Sequence, residues 1–375
     1  MPSLLVTLWL LFPLGVERGP IELRNWTLIG PTSASLEPAV IDPGEENADD
    51  VRAKGLLWRK LGGGVPVASI ALDLLAETLY AGGYLTPGSA RVFRKPTDSG
   101  EWSQTRSPDL GGLYPYVKVI TAPSAAGVVY AAGGTCMVHP PICGGGLAQS
   151  TDGGASWMRL LDQLTSSIAV DPLDARLLYA VVQAVIPNPM FPTIGTIVST
   201  SVKSIDGGAT WLEIPLPPSV FAFDVTHPGT VFAATSSEGA WKSTDSGSAW
   251  SPVNAGLTDL RTYALAVDPA GVIHLATGAG VFVSLDGSGH WSATGLTAVM
   301  EVLIPDPNYP GAVYAGGQSG VFRIDEHGTP TPIGSGVSNV TDLSVDMAGL
   351  RLWAATPEGV FEYDIRRAPP RTAAR

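Results

Sequence analysis

The feature that most constrains this chain is an octapeptide that recurs along it. The copies read Ser150-Thr-Asp-Gly-Gly-Ala-Ser-Trp157, Ser204-Ile-Asp-Gly-Gly-Ala-Thr-Trp211, Ser243-Thr-Asp-Ser-Gly-Ser-Ala-Trp250 and Ser284-Leu-Asp-Gly-Ser-Gly-His-Trp291, after a shortened copy, Pro96-Thr-Asp-Ser-Gly-Glu-Trp102. Degenerate copies put Asp325 and Asp364 at matching places. The aspartates then step by 54, 54, 39, 41, 39 and 39 residues. A fixed period of that size marks a repeat architecture, which decides the fold before any local reading does.

Each unit carries further text upstream of its box. An apolar run enters Asp-Pro, an aliphatic-aromatic-Ala segment follows, and Gly-Val-Phe or similar leads into the octapeptide, as in Ala169-Val-Asp-Pro172 with Leu178-Tyr-Ala180, or Ile304-Pro-Asp-Pro307 with Val313-Tyr-Ala315. Short β-rich runs with turn signals between them, and no sustained helical period, predict four strands per unit. The expectation is an all-β, seven-bladed β-propeller of four-stranded antiparallel blades, with an eighth, shrunken blade over 36–61 as the alternative.

In the box, a short carboxylate can accept from backbone N–H groups two and three residues on, and the glycines supply positive φ. The tryptophan covers the turn, and its burial contributes about 2–3 kcal/mol. A catalytic residue has no reason to recur around a ring. Asp98, Asp152, Asp206, Asp245 and Asp286, with Trp102, Trp157, Trp211, Trp250 and Trp291, therefore read as structural.

The chain resembles the Asp-box (bacterial neuraminidase repeat) β-propellers, which include sialidases, xyloglucan-active glycoside hydrolases, luminal sorting receptors and the photosystem II stability and assembly factor. The resemblance covers residues 66–365 or so. Its wording and blade length are most like the assembly-factor-like and xyloglucanase-like branch. Asp286 departs from the usual Gly-Gly pattern, and the Asp325 and Asp364 copies lack the Trp. Such a resemblance implies a fold and not a reaction.

Composition agrees. Charged residues are 15%, against about 25% in an average domain. Net charge is −12, and six of the 22 basic residues are lysine, which argues against a nucleic-acid partner. A 13-residue apolar stretch, Leu4–Val16, is too short to span a bilayer and matches a secretory signal peptide or uncleaved anchor. No basic residue precedes it, so a misassigned start or a buried N-terminal strand stays open. Residues 1–20 are accordingly set apart from one propeller over 21–365, closed by a strand at about 21–31. Residues 366–375 read as a frayed tail. Any membrane association is expected through the N-terminal segment alone, and the chain reads as a monomer in an extracytoplasmic setting.

Cys136 and Cys143 flank Met-Val-His-Pro-Pro-Ile and read first as a disulfide. Free thiols, or a metal held with His139, are the alternatives. Three ligands do not complete a structural zinc site, and neither metal nor cofactor is expected.

If the box is the turn between strands three and four, the loops between strands two and three lie on the opposite face. They are short in blades four to seven and long in blades one to three. Tyr84, Tyr114, Tyr116, His139 and Phe191 form a candidate aromatic rim there, with Arg106 and Asp109 as polar contacts for a protein or carbohydrate ligand. The bland alternative is that these residues pack their own loops.

Enzyme readings need named chemistry. Phe93-Arg-Lys-Pro96 superficially matches the sialidase Phe/Tyr-Arg-Ile-Pro motif, but it aligns with Ala240-Trp-Lys-Ser243 inside the repeat. Glycoside hydrolysis requires two carboxylates about 5–10 Å apart. Glu301 and Asp342 are the best acidic candidates, yet their offsets from Asp306 and Asp346 differ by one, which puts them on opposite faces of regular strands. Two propellers commonly form the xyloglucanase cleft, and this chain has one. The sequence reading is a non-catalytic binding or assembly module, with a glycoside hydrolase as the alternative.

Overall fold

The computed structural model describes residues 59–365, apart from 63–65, 85–89, 99–100, 112–115, 288, 347 and 349. Among the described residues, twenty-eight strands form seven four-stranded antiparallel sheets, and none of these residues is α-helical. Blade one is β2 (Val67–Asp73), β3 (Thr78–Tyr84), β4 (Ala90–Pro96) and β5 (Ser103–Gln104). Blade two holds β6 (Tyr116–Thr121), β7 (Val129–Val138), β8 (Pro141–Ser150) and β9 (Met158–Leu161). Blade three holds β10 (Leu164–Val170), β11 (Leu178–Pro187), β12 (Gly195–Ser204) and β13 (Leu212–Glu213). Blades four to six repeat the pattern through β25 (Pro330–Pro332), and blade seven pairs β26 (Asp342–Val345), β27 (Arg351–Thr356) and β28 (Gly359–Asp364) with β1 (Arg59–Gly62). The described residues make seven blades rather than eight.

Ring closure departs from the expectation. The stretch 21–31 lies outside the described residues, and the closing position is taken by Arg59–Gly62, where Lys60 pairs with Phe361. The segment read as an alternative eighth blade instead ends as this outer strand. A physical reason is chain reach: β1 leads into β2 within a few residues, so one short link ties the last blade to the first. Trp102 Nε1 donates to the Leu61 carbonyl at 3.1 Å, Ile70 N–H to Asp342 Oδ2 at 3.1 Å, and Arg351 Nη1 to the Thr97 carbonyl. The seam is bonded at several levels, removing an open edge.

The repeat text maps onto the core. The aromatic of each Tyr-Ala segment is buried: Tyr80, Tyr130, Tyr179, Phe232, Tyr314 and Trp353, with His274 in that place in blade five. These side chains fill the gaps between neighbouring sheets, and the box tryptophans cap the same gaps. Trp250 packs with Tyr179, Phe221 and Val231, and Trp211 with Tyr130, Ile168 and Leu178. The glycine after Tyr80-Ala is set by close approach, since a Cβ on Gly82 would lie 2.2 Å from the Val117 carbonyl oxygen of the next blade.

The octapeptides lie between the third and fourth strands. Ser150 Oγ donates to Asp152 Oδ1 at 2.8 Å and accepts from Gly154 N–H at 2.7 Å, while Asp152 accepts from Ser156 N–H at 2.8 Å. The Ser204 and Asp206 turn repeats this to within 0.1 Å. The acceptors act three and four residues on, as Asp245 does toward Ser248 and Ala249, rather than two and three. Paired positive-φ glycines, Gly153 at 69° and Gly154 at 90°, carry the turn one residue further. These bonds hold Asp152 and Asp206 at about 2, with the Ser156 and Thr210 hydroxyls as the largest cause. They are ionised structural anchors.

Candidate functional site

Blades two and three break the ring's regularity on the face opposite the octapeptides. In blade four the middle strands pair through five rungs, from Val231↔Ser243 to Thr235↔Gly239. Blade two continues from Val129↔Ser150 to Val138↔Pro141, and blade three from Leu178↔Ser204 to Pro187↔Gly195, ten rungs each. At about 3.4 Å per residue, both hairpins project roughly 17 Å beyond the five-rung ladders of blades four to six. Their tips meet: His139 Nδ1 donates to the Thr193 carbonyl at 2.5 Å. Two β-hairpins joined at the top make a stiffer arm than either alone.

Cys136 and Cys143 are direct register partners within the blade two hairpin and form a disulfide. In the blade three tip, Asn188 Oδ1 accepts from Met190 and Phe191 N–H at 2.8 and 3.1 Å, which shapes the Pro-rich turn. Phe191 is 60% exposed and Met190 82%. His139 is also exposed, and its Nδ1 bond fixes the tautomer with hydrogen on that nitrogen.

The other predicted rim residues are placed differently. Arg106 is tied by its backbone N–H to the Gly154 carbonyl in the octapeptide of blade two, at 3.0 Å, with its side chain exposed. The Asp109 carbonyl accepts from Arg159 Nη1 at 2.9 Å, while its exposed carboxylate stands 4.0 Å from the same group. Tyr116 opens β6; its hydroxyl is buried without a hydrogen-bond partner, and that burial pushes its ionisation up. Arg91 Nε is likewise buried and unpartnered. Tyr84 ends β3, and Tyr114 lies outside the described residues. The structure joins His139 to the turn that carries Phe191 and leaves Arg106 and Asp109 on the connection between blades one and two.

Arg159 is the organising residue that the sequence reading missed. Its guanidinium donates to the carbonyls of Asp109, Leu110 and Gly145 and pairs with Asp162 at 2.6 Å. It thereby clamps the blade one-to-two connection against the base of the arm. Its sole signal is position, two residues after a box tryptophan, where other units carry Glu213 or Pro252.

The two acidic candidates part company. Glu301 is exposed at the entry to β22 (Val302–Pro305). Asp342 heads the innermost strand of blade seven, and both its oxygens accept backbone N–H groups, from Ile70 at 3.1 Å and Leu343 at 3.0 Å. It keeps partial solvent contact, but the crowding of the inner strands dominates, and burial pushes its carboxyl up to about 6 against the opposing pull of Lys118. Among the described residues, no group of three or more His, Cys, Asp or Glu side chains could hold a metal, and no helix is long and apolar enough to cross a membrane.

Fold and face define a seven-bladed propeller with one elaborated rim. Its architecture is similar to a GH74 xyloglucanase from Xanthomonas campestris, with a TM-score of 0.60 and 17% identity over 84% of this chain and 55% of that one. It is also similar to YCF48 from Cyanidioschyzon merolae, at 0.54 and 15% over 82% of this chain and 98% of that one. A YCF48 structure bound to a D1 peptide gives 0.53 and 13%, over 82% and 96%. The chain spans about half the length of the GH74 structures. At these identities the likeness establishes the fold alone. No family model matches the chain, and no curated protein matches it.

Proposed function

We propose that this chain is a non-catalytic binding or assembly propeller that takes a protein or glycan ligand on the face opposite its octapeptide turns. The observation that carries the reading is the joined pair of hairpins: elaboration is concentrated on one face at two adjacent blades, while the opposite face repeats one structural turn. Loops on a rigid scaffold are where binding residues concentrate. The D1 peptide carried by one YCF48 structure is the precedent for a peptide on a propeller of this size. We further propose an extracytoplasmic setting, supported by Leu4–Val16 and by the Cys136–Cys143 disulfide, since disulfides persist in oxidising compartments.

Binding of peptide and oligosaccharide arrays to the full chain tests the reading. Capture should weaken when the arm is replaced by short turns, and cell fractionation should place the chain outside the cytoplasm. The alternative, a glycoside hydrolase, is favoured by the GH74 likeness. Asp342 argues against it, because its two oxygens are already engaged by backbone amides. Xyloglucan hydrolysis by the purified chain, lost in Asp342→Asn or Glu301→Gln, would overturn the binding-only reading.

A further inference from the structure

We propose that the tip of the blade two and three arm is a lipid-surface element, seating Met190, Phe191 and Ile194 in the interfacial zone of a zwitterionic bilayer. The first observation is charge. No Asp, Glu, Lys or Arg occurs from Val119 to Thr151 or from Leu177 to Val202, in a chain where 15% of residues are charged. Both hairpins fall within those stretches. A projecting loop facing water alone has no reason to exclude charge so completely.

The second observation is what the tip presents. Met190, Phe191 and Ile194 are 82, 60 and 49% exposed, and Ile186 on the supporting strand is 56% exposed. Contiguous exposed apolar surface marks a protein or membrane contact. The shape selects between them: this is a convex tip on a projecting arm, whereas a peptide site would need a concavity with polar groups to orient its backbone.

The third observation is backbone satisfaction. Below the tip, every rung from Gln183↔Ser199 to Pro187↔Gly195 is paired, Asn188 caps the turn, and Asn188 N–H bonds the Ile194 carbonyl at 2.7 Å. A segment entering lipid must satisfy its polar backbone internally, and this one largely does. A net charge of −12 and an arm without Lys or Arg disfavour anionic headgroups and leave a zwitterionic surface as the matching chemistry. The arm would then hold the ligand face toward the membrane. The inference shares that face but does not depend on a ligand being found there.

Flotation of the full chain with phosphatidylcholine vesicles tests it, together with Met190→Cys carrying an environment-sensitive fluorophore. The expected result is co-flotation insensitive to added salt, a blue shift on adding vesicles, and a vesicle-bound fraction reduced about tenfold or more in Met190→Ser/Phe191→Ser/Ile194→Ser. Ile205→Ser, equally exposed but on the octapeptide of blade three, should leave flotation unchanged. Unaltered melting of the triple variant would show that it folds. Failure of the wild-type chain to float, flotation without a blue shift, or steep loss of binding with salt would each overturn the proposal. So would protection of the fluorophore by self-association without lipid, which would assign the tip to a second copy. A ligand captured in the arrays while vesicles fail to bind would sink this inference and leave the binding reading standing.

Discussion

Blades four to seven use five or six residues for each middle strand, and blades two and three use ten. The short hairpins end where the neighbouring sheets end, so nearly every side chain in them has a packing partner. In the long ones, the first five rungs are as buried as any blade, and the last five carry exposed apolar side chains. One fold unit thus holds two kinds of sequence constraint. Inside the ring, a residue is chosen for the gap it fills between sheets; on the arm, it is chosen for what it shows to the outside.

That contrast can be broken by substitution. The largest effect should come from the regular half, where Arg323 Nε and Asp306 Oδ2 form a buried pair at 2.6 Å. Asp306→Ala strands the guanidinium, whose Nη2 is already buried without a partner, and should cost about 3–5 kcal/mol in denaturant unfolding. A loss below about 1 kcal/mol would mean the ring tolerates a buried unpaired charge.

His274 offers the next effect. It occupies the gap-filling position taken by Tyr, Phe or Trp in other blades, and burial holds it down to about 4 from 6.5. Its folded pKa is depressed, so the unfolded chain binds the extra proton first. Stability should therefore fall as pH drops from about 6.5 toward 4, by up to about 3 kcal/mol, and level off below. His274→Phe should flatten that part of the stability–pH curve, and an unchanged curve would reject the assignment.

Asp342 has the opposite sign. Its folded pKa is raised from 3.8 to about 6, so its neutral form favours the native state at low pH and that contribution disappears as pH rises through about 6. Asp342→Asn keeps one acceptor for Ile70 or Leu343. It should raise stability by about 1 kcal/mol at pH 7.5, after allowance for partial solvent contact, with no gain at pH 3.5.

The smallest effect is expected on the arm. Replacing residues 184–198 by a two-residue Asn-Gly turn between Gln183 and Ser199 restores the five-rung pattern of blade four with one rung to spare. The melting temperature should move by no more than about 2 °C, because the deleted side chains are largely exposed. A collapse of the whole transition would show that the arm supports the ring.

Much of this architecture was legible in the residues. The period of the octapeptide sets the blade count, and the loop lengths between the second and third strands point to blades one to three, of which two and three carry the ten-rung hairpins. The disulfide between Cys136 and Cys143 follows from two cysteines closing a small ring, while their place across the rungs of a hairpin does not. Other features had no local signal. Arg59–Gly62 has the composition of many short strands, and what makes it the closing strand is the vacant edge beside β28. Arg159 acts on three carbonyls, and carbonyl groups leave no trace in a sequence. Arg106 and Asp109 lie on the connection between blades one and two, and where that connection runs depends on its bonds to Gly154 and Arg159.

The octapeptide by itself determined the number of blades, the turn between the third and fourth strands and the face given to structural work. These follow from local chemistry: a serine and an aspartate bonding backbone amides within one turn, repeated at a fixed interval. Tertiary structure alone decided which strand closes the ring, that Asp342 is held by the blade across the seam, and that His139 reaches Thr193 to join two hairpins into one arm. Those contacts join residues 54 or more positions apart, and the pairing exists because the propeller brings its blades around a common axis.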